Sequence, residues 1–304
     1  AWRSSTWKTY SSAWKHWVSW CTQNKEKPDN PRPHKVAAYL GYLFRVKKFA
    51  HSTILVHKSV IASLSNPEGE TQLSSHPIIR SMLKAISMKA CRKVSSKSQI
   101  WNIQDLMDWL RSHPPDITSV FQISRHTAIL LLLAPGRRIH DLTLLHIDAD
   151  HFQFSDGVVT FWPKFGSKTD CAQRRQSGWE LTSSGDEALD LVIWINRLLD
   201  ISAGRRKAVP GLLSLFISTR GQVRPASRAV IAGWLKIPFT DLNIEKGPGS
   251  IRSAVASFDY ASGVKLDKIL EKGNWKGETN FFKHYCKSVE SHKTGSNSSL
   301  KNIF

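Results

Sequence analysis

The chain has 304 residues, 41% of them hydrophobic, enough to bury the core of one large domain or two ordinary ones. Lys and Arg outnumber Asp and Glu by 43 to 24, a formal net charge of +19, which points to a polyanionic partner, nucleic acid being the commonest. No apolar run approaches the ~20 residues of a membrane span, and Cys21, Cys91, Cys171 and Cys286 form no Cys-x-x-Cys pair, so neither a zinc site nor a disulfide framework is expected and a reducing compartment is the simpler reading.

The first third reads as helices. Ser4-Ser5-Thr6 offers N-cap oxygens, and Trp7, Tyr10, Trp14, Trp17, Val18 and Cys21 recur at helical spacing, a stripe better suited to a core than to base stacking. After the breaks at Pro28, Pro31 and Pro33, a second helix is predicted over His34–Lys48 and a third over Ser52–Leu64. A fourth starts near His76-Pro77 and carries Ile78, Ile79, Met82, Leu83 and Ile86. Residues 93–99 are polar and basic and serve as the expected linker between a helical DNA-binding domain at 1–92 and a second domain at 100–304. Residues 1–99 carry 17 basic against 4 acidic side chains, so the first third is the stronger phosphate-binding half.

Beyond the linker, Ile103, Leu106, Met107 and Leu110 mark one helix, and Val120–Leu133 a long, deeply buried one. Two alternating runs, His151–Phe154 and Val158–Trp162, flank Ser155-Asp156-Gly157, a good hairpin turn. Helices are predicted again at Asp186–Leu199, Ser227–Leu235, Ile251–Gly263, Leu266–Lys272 and Glu278–Lys287. The fold class is therefore mainly α with a small antiparallel sheet (α+β). The tail from Lys293 is polar but ends on Leu300, Ile303 and Phe304, an apolar end fit for docking. The chain opens on Ala1 rather than Met and shows no signal peptide, so it reads as a piece of a longer protein.

Three stretches carry chemistry. In Ala134-Pro-Gly-Arg-Arg-Ile-His-Asp-Leu142 a buried helix ends, Gly136 turns the chain, and Arg138 opens the next helix with Asp141 three residues on to brace it. Ser250-Ile-Arg252 again sets an arginine at the front of an apolar helix. Gly273-Asn-Trp275 then leads through Phe281 and Phe282 to Tyr285.

In this order the residues resemble the tyrosine recombinase (integrase) family, whose motifs are an Arg in Gly-x-Arg-x-x-Glu/Asp-Leu, a Lys on a hairpin, His-x-x-Arg, a His or Trp, and a Tyr near the end. Gly136 to Leu142 is similar to the first motif and makes Arg138 the first catalytic arginine. Lys168, after Phe165-Gly-Ser, stands for the lysine, with Lys164 as second candidate. Arg252 stands for the second arginine, Trp275 for the His/Trp position and Tyr285 for the nucleophile. The resemblance covers nearly the whole chain. Ser4-Ser5-Thr6-Trp7 with Thr9-Tyr10, and the Trp275 to Tyr285 stretch, are most similar to recombinases of eukaryotic mobile elements of the DIRS and Crypton kinds. There are two departures. Trp275 and Tyr285 are ten apart, where many bacterial members have nine, and the His of His-x-x-Arg is Gly249, beside Ser250.

The resemblance implies a four-helix core-binding domain joined to a catalytic domain as a C-shaped clamp on double-stranded DNA. Two arginine forks would neutralise a phosphodiester, Tyr285 would form a covalent 3′-phosphotyrosine, and Lys168 would protonate the leaving 5′-oxygen. Trp275 would donate its indole N–H to the phosphate. No metal or other cofactor is expected. The expected partners are DNA and further copies of the chain, as dimers and tetramers joined through the C-terminal tail, with no membrane, and action in the nucleus. Gly249 leaves two readings open: either Lys246, His284 or a water replaces the missing histidine, or the chain is a catalytically impaired, DNA-binding derivative. A type IB topoisomerase-like enzyme, sharing the tyrosine chemistry without partner exchange, is the other alternative.

Overall fold

The computed structural model describes residues 4–66, 72–90 and 99–291, and the chain divides into two compact units, Ala1–Ser95 and Ser96–Phe304. Of the expected linker, residues 93–98 lie outside the described residues, as do the tail residues Lys293–Phe304 and Cys91.

The first unit holds four helices, α1 (Ser4–Gln23), α2 (Pro33–Arg45), α3 (His51–Leu64) and α4 (Pro77–Lys89). Pro33 and Pro77 each open a helix, where their missing N–H costs nothing. Trp17, Cys21, Tyr39, Leu40, Ile54, Ile61 and Ile79 fill the interior. The α1 stripe is only partly core, since Trp17 is fully buried while Trp7 is 56% exposed. Helix α2 stops three residues before the predicted Lys48 because Lys48 itself takes a positive φ of 54°, and the Phe49 N–H closes back on the Leu43 carbonyl.

The second unit is built around α6 (Val120–Leu133), whose residues from Thr127 to Leu133 are all buried. It packs on α8 (Leu191–Lys207) and on α11 (Ile251–Ala261). α5 (Ile103–Ser112) lies against α11, capped by the Asn102 side chain. The short α7 (Ile139–Leu142) follows α6 after the Gly136 turn. A three-stranded antiparallel sheet runs β1 (Phe152–Ser155), β2 (Val158–Phe161), β3 (Trp179–Thr182) in that order. Phe161 sits opposite Phe152 on one side and Trp179 on the other. The hairpin turn uses Asp156 and Gly157, both at positive φ (52° and 76°), as a two-residue turn of the hairpin-matching twist requires. α9 (Arg228–Trp234), α10 (Lys236–Asp241), a 3-10 turn at Pro248–Ser250, α12 (Leu266–Lys272) and α13 (Glu278–His284) complete the unit.

Four expectations are corrected here. The sheet has a third strand, because β3 alternates buried and exposed over only four residues and follows a long polar loop. α8 starts at Leu191, since Asp190 caps it through the Val192 and Ile193 N–H groups, and it continues through polar residues to Lys207. α10 went unread because Pro238 stands inside it. α13 ends at His284, so Tyr285 is its C-cap residue rather than an internal one.

His126 of α6 is buried against Trp194 at 4.4 Å between ring centroids, with Nε2 2.7 Å from the Ala188 carbonyl. Burial pushes its pKa down to about 4, with Arg125 and Arg197 nearby acting the same way and the Ala188 carbonyl opposing. The unfolded chain, with an ordinary histidine value near ~6.5, therefore takes up a proton that the folded chain refuses. Stability should fall as pH is lowered from about 7 to 4, by about 3 kcal/mol from this group alone. Urea unfolding across that range should show the slope in the wild type and a shallower one in His126→Gln.

Candidate active site

Two glycines bracket the site, Gly136 at a positive φ that favours glycine and Gly273 where a side chain would collide with Trp275. Gly136 has φ +59°, and a Cβ on it would come within 3.1 Å of the Val255 Cγ1 on α11. A Cβ on Gly273 would fall inside the Trp275 ring. The chain can thus turn tightly before Arg138, and the indole can lie flat over its own loop.

Arg252, in the first turn of α11, is buried. Its Nη1 donates to the Gly136 carbonyl at 2.8 Å and the Gly273 carbonyl at 2.7 Å. The guanidinium lies over the Trp275 ring, 3.7 Å from the centroid, and 5.1 Å from the Tyr285 centroid. Trp275 and Tyr285 meet edge to face at 5.3 Å. The structure therefore brings Arg138, Arg252, Trp275 and Tyr285 together, since Arg138 acts electrostatically on both Arg252 and Tyr285.

The electrostatics follow from burial and like charge. Burial, then the neighbouring Arg138 cation, pull the Arg252 guanidinium below its ordinary value, and Tyr285 opposes this. Burial by itself would raise the Tyr285 phenol, but the charges of Arg252 and Arg138 outweigh it and hold the phenol below its usual value of 10.0. That is the direction a nucleophile needs.

What the cluster lacks is acceptors. Ten buried side-chain N or O atoms have no hydrogen-bond partner among the described residues, and four belong here: Arg138 Nη1, Arg252 Nε and Nη2, and Trp275 Nε1. All four are donors. A buried donor left unpaired costs about 1–3 kcal/mol, and four of them fall within this one cluster, where an anion with several oxygens would be able to accept from them. The adjacent Arg137 is the contrast. Also buried, it spends Nε on the Lys272 carbonyl at 2.6 Å and Nη2 on Ser177 at 2.6 Å, and burial pushes its pKa down to about 10. Arg137 holds the scaffold, while Arg138 acts on Tyr285 and keeps Nη1 open.

Asp141 braces Arg138 differently from the helical-face expectation. Its fully buried carboxylate accepts the Arg138 backbone N–H at 3.1 Å, and its other oxygen accepts the Ser167 hydroxyl at 2.9 Å. It thus fixes where Arg138 begins its helix and ties that point to the loop carrying Lys168. On the other side of Lys168, Thr169 accepts from Asn274 Nδ2 at 2.9 Å, and Arg174 donates to Asn274 Oδ1 and the Trp275 carbonyl. The Lys168 side chain is exposed on a loop pinned at both neighbours, and Lys164 is also exposed.

Gly249 is exposed in the 3-10 turn before α11, with open space where a Cβ would stand. Ser250 accepts the Trp101 indole N–H at 2.9 Å. Of the suggested substitutes for the histidine, Lys246 gives its amine to the Gln99 carbonyl and His284 is exposed. Ser257 of α11 donates to the Tyr285 carbonyl and accepts the Lys287 N–H, both at 2.9 Å. Ile100 then pairs with the segment around Val289, so the chain following the nucleophile candidate is fastened at several points. Ser167, Thr169, Arg174, Ser257 and Asn274 had no motif to announce them. Among the described residues no group of three or more His, Cys, Asp or Glu is placed to hold a metal ion.

No protein-family model matches the sequence, and no curated protein matches it. Solved structures do. The chain is similar to a lambda integrase fragment crystallised as a dimer on a COC′ core site, at 13% identity and TM-score 0.53, over 99% of this chain and 94% of that one. It is similar to the XerH site-specific recombinase in a pre-cleavage complex with difH, at 14% identity and TM-score 0.51, over 82% of this chain and 65% of that one. The Tn1549 transposon integrase in complex with circular-intermediate DNA gives 11% identity and TM-score 0.51, over 88% and 84%. These neighbours are tyrosine recombinases and integrases, and the mostly helical unit with its small antiparallel sheet has the fold of their catalytic domain.

The local electrostatics give a direct expectation. In Arg138→Gln one of the two cations acting on Tyr285 is gone, so its phenol should ionise at higher pH. A phenolate absorbance titration, with Tyr285→Phe subtracted, should show the midpoint move up; an unmoved midpoint would mean Arg138 does not act on the phenol.

Proposed function

We propose that this chain breaks and rejoins DNA strands through Tyr285, in site-specific recombination or integration of a mobile element. The observation that carries the reading is the convergence of four unpaired N–H donors, from Arg138, Arg252 and Trp275, around a tyrosine whose ionisation they favour. A phosphodiester has the charge and the oxygens to meet them. Attack of the Tyr285 oxygen on phosphorus would form the phosphotyrosine bond and break the bond to the 5′-oxygen. The phenol proton passes to solvent as the arginines stabilise the phenolate, and Lys168 gives a proton to the departing 5′-oxygen and is later reprotonated from solvent. The same two forks would bear the charge that builds on the nonbridging oxygens, an effect whose loss typically costs about 10²–10³ in rate. Reversal by the 5′-hydroxyl of another strand would restore Tyr285 and complete an exchange, with the bond energy kept in the ester.

Nucleophile and arginines come from one chain, which supports cleavage in cis. Double-stranded DNA as substrate, assembly of copies on it and the DIRS or Crypton affiliation belong to this reading. They are supported by the net charge of +19, by neighbours crystallised on DNA, and by the Trp7, Tyr10, Trp275 and Tyr285 pattern. Action in the nucleus is proposed on the same affiliation.

The decisive test is covalent capture. A pool of duplexes with randomised sequence and 5′-bridging phosphorothiolates should yield a protein–DNA band on a denaturing gel, absent with Tyr285→Phe. DNA binding by the wild type with no covalent band would sink the strand-exchange reading in favour of an impaired derivative, the second reading that Gly249 supports.

Gly249 has its own test. Because nothing lies within 4 Å of a Cβ built there, Gly249→His should fold normally and raise the rate of covalent capture, by up to about 10²-fold for one general acid–base group. An unchanged rate would mean the position takes no part in proton transfer.

A further inference from the structure

The loop between β2 and β3 holds more than a candidate lysine. In Trp162-Pro163-Lys164-Phe165-Gly166-Ser167-Lys168, the Phe165 ring is 55% exposed and the Trp162 ring 42% exposed. Single exposed apolar side chains are ordinary. Here two aromatic rings stand three residues apart and alternate with exposed Lys164 and Lys168, while the Arg175 guanidinium lies 5.9 Å from the Phe165 centroid.

The backbone beneath them is held firmly. The Trp162 N–H reaches the His151 carbonyl and the Lys164 N–H the Leu144 carbonyl, each at 2.9 Å. Asp170 gathers the N–H groups of Gly166, Ser167 and Gln176. Gly166 sits at φ +147°, a conformation that favours glycine, and a Cβ there would press to 3.2 Å of the Leu144 Cδ2, so the loop runs close against the body of the unit. Gly178 lies beside the Trp162 indole, its Cβ position in ordinary contact distance, 3.5 Å, of the indole Cδ1. Rings presented from a fixed backbone lose little conformational freedom when something stacks on them.

The loop also reaches the site. Ser167 bonds to Asp141, which sets Arg138, and Thr169 bonds to Asn274, next to Trp275. Phe165 is two residues from Ser167, so their Cα atoms are within ~7.6 Å.

From this we propose that Phe165 and Trp162 stack on nucleobases of bound DNA beside the phosphate held by Arg138 and Arg252, and so position the strand for attack. The inference rests on the strand-cleavage reading above. A base is the occupant the surroundings favour. Aromatic rings interleaved with cations are how proteins hold unstacked bases next to a phosphate chain, and side chains can also wedge between base steps. A protein partner covering the same rings would have to bury Lys164, Lys168 and Arg175, none of which forms a salt bridge among the described residues.

The experiment uses Tyr285→Phe, so that DNA is bound and not cut, with a pool of random-sequence duplexes carrying 5-iododeoxyuridine in place of thymidine. Irradiation joins an iodouracil to the aromatic ring stacked on it, and mass spectrometry identifies the joined peptide. The expected cross-links fall on Phe165 or Trp162. Phe165→Ala in the same background should bind DNA about five- to hundredfold more weakly, and Phe165→Tyr should bind like the parent. Cross-links confined to other segments, together with unchanged binding by a normally folded Phe165→Ala, would overturn the inference. The arms separate the two claims. Covalent capture by Tyr285 without these cross-links removes only the stacking role, while cross-links without capture leave base contact in place and remove the strand-cleavage reading.

Discussion

The buried cation of Arg252 is the constraint on which the rest of the site depends. A guanidinium taken out of water must be compensated, and here one nitrogen, Nη1, does this by holding two carbonyls from distant parts of the chain. The Gly136 carbonyl belongs to the turn before Arg138, and the Gly273 carbonyl to the turn before Trp275. One side chain thus fixes the spacing between the first arginine and the tryptophan, with the Trp275 face packed against it. The compensation is incomplete, because Nε and Nη2 remain unpaired. The fold holds Arg252 by one edge and leaves the other open, as befits a group meant to bind something from outside.

Around this clamp runs a second layer of short polar side chains. Asp141 joins the Arg138 turn to Ser167, Asn274 joins the Trp275 turn to Thr169, and Ser257 joins α11 to the Tyr285 carbonyl and the Lys287 N–H just after it. Each of these links is a hydrogen bond between segments that are far apart in sequence, and each ends next to a residue with a proposed chemical role. The Lys168 loop is the clearest case. It has no regular structure of its own, yet bonds at Ser167 and Thr169, on either side of the lysine, give its backbone a definite place.

The division between what was legible in the sequence and what was not follows from range. Arg138, Arg252 and Tyr285 could be found because each has a local signature: a glycine turn, the front of an apolar helix, an aromatic run. The buried α6 and the Asp156-Gly157 hairpin were readable for the same reason. β3 was hidden because four residues of alternation after a long loop are too few to register, and α10 because Pro238 masks it. The role of Asp141 was misplaced because helical spacing relates side chains to side chains, whereas its carboxylate serves the Arg138 backbone and a serine 26 residues away. Asn274, Arg174 and Ser257 carry no signal at all, since their partners lie 105, 100 and 28 residues off.

The open donors also explain why two arginines can tolerate each other at such close quarters. Burial disfavours the charge of Arg252, and the neighbouring Arg138 cation adds to that. Tyr285 and buried Asp141 act against that repulsion, Asp141 being already engaged by Ser167 and the Arg138 backbone. An arrangement of this kind, with donors left open beside a like charge, costs stability in a way that nearby Arg137, whose Nε and Nη2 are bonded, does not. The benefit comes when an anion arrives. The repulsion between the forks then becomes attraction to shared oxygens, and the donors need no reorganisation to meet the charge that builds during attack. The same field lowers the phenol of Tyr285, so the groups that would bind the phosphate also prepare its attacker.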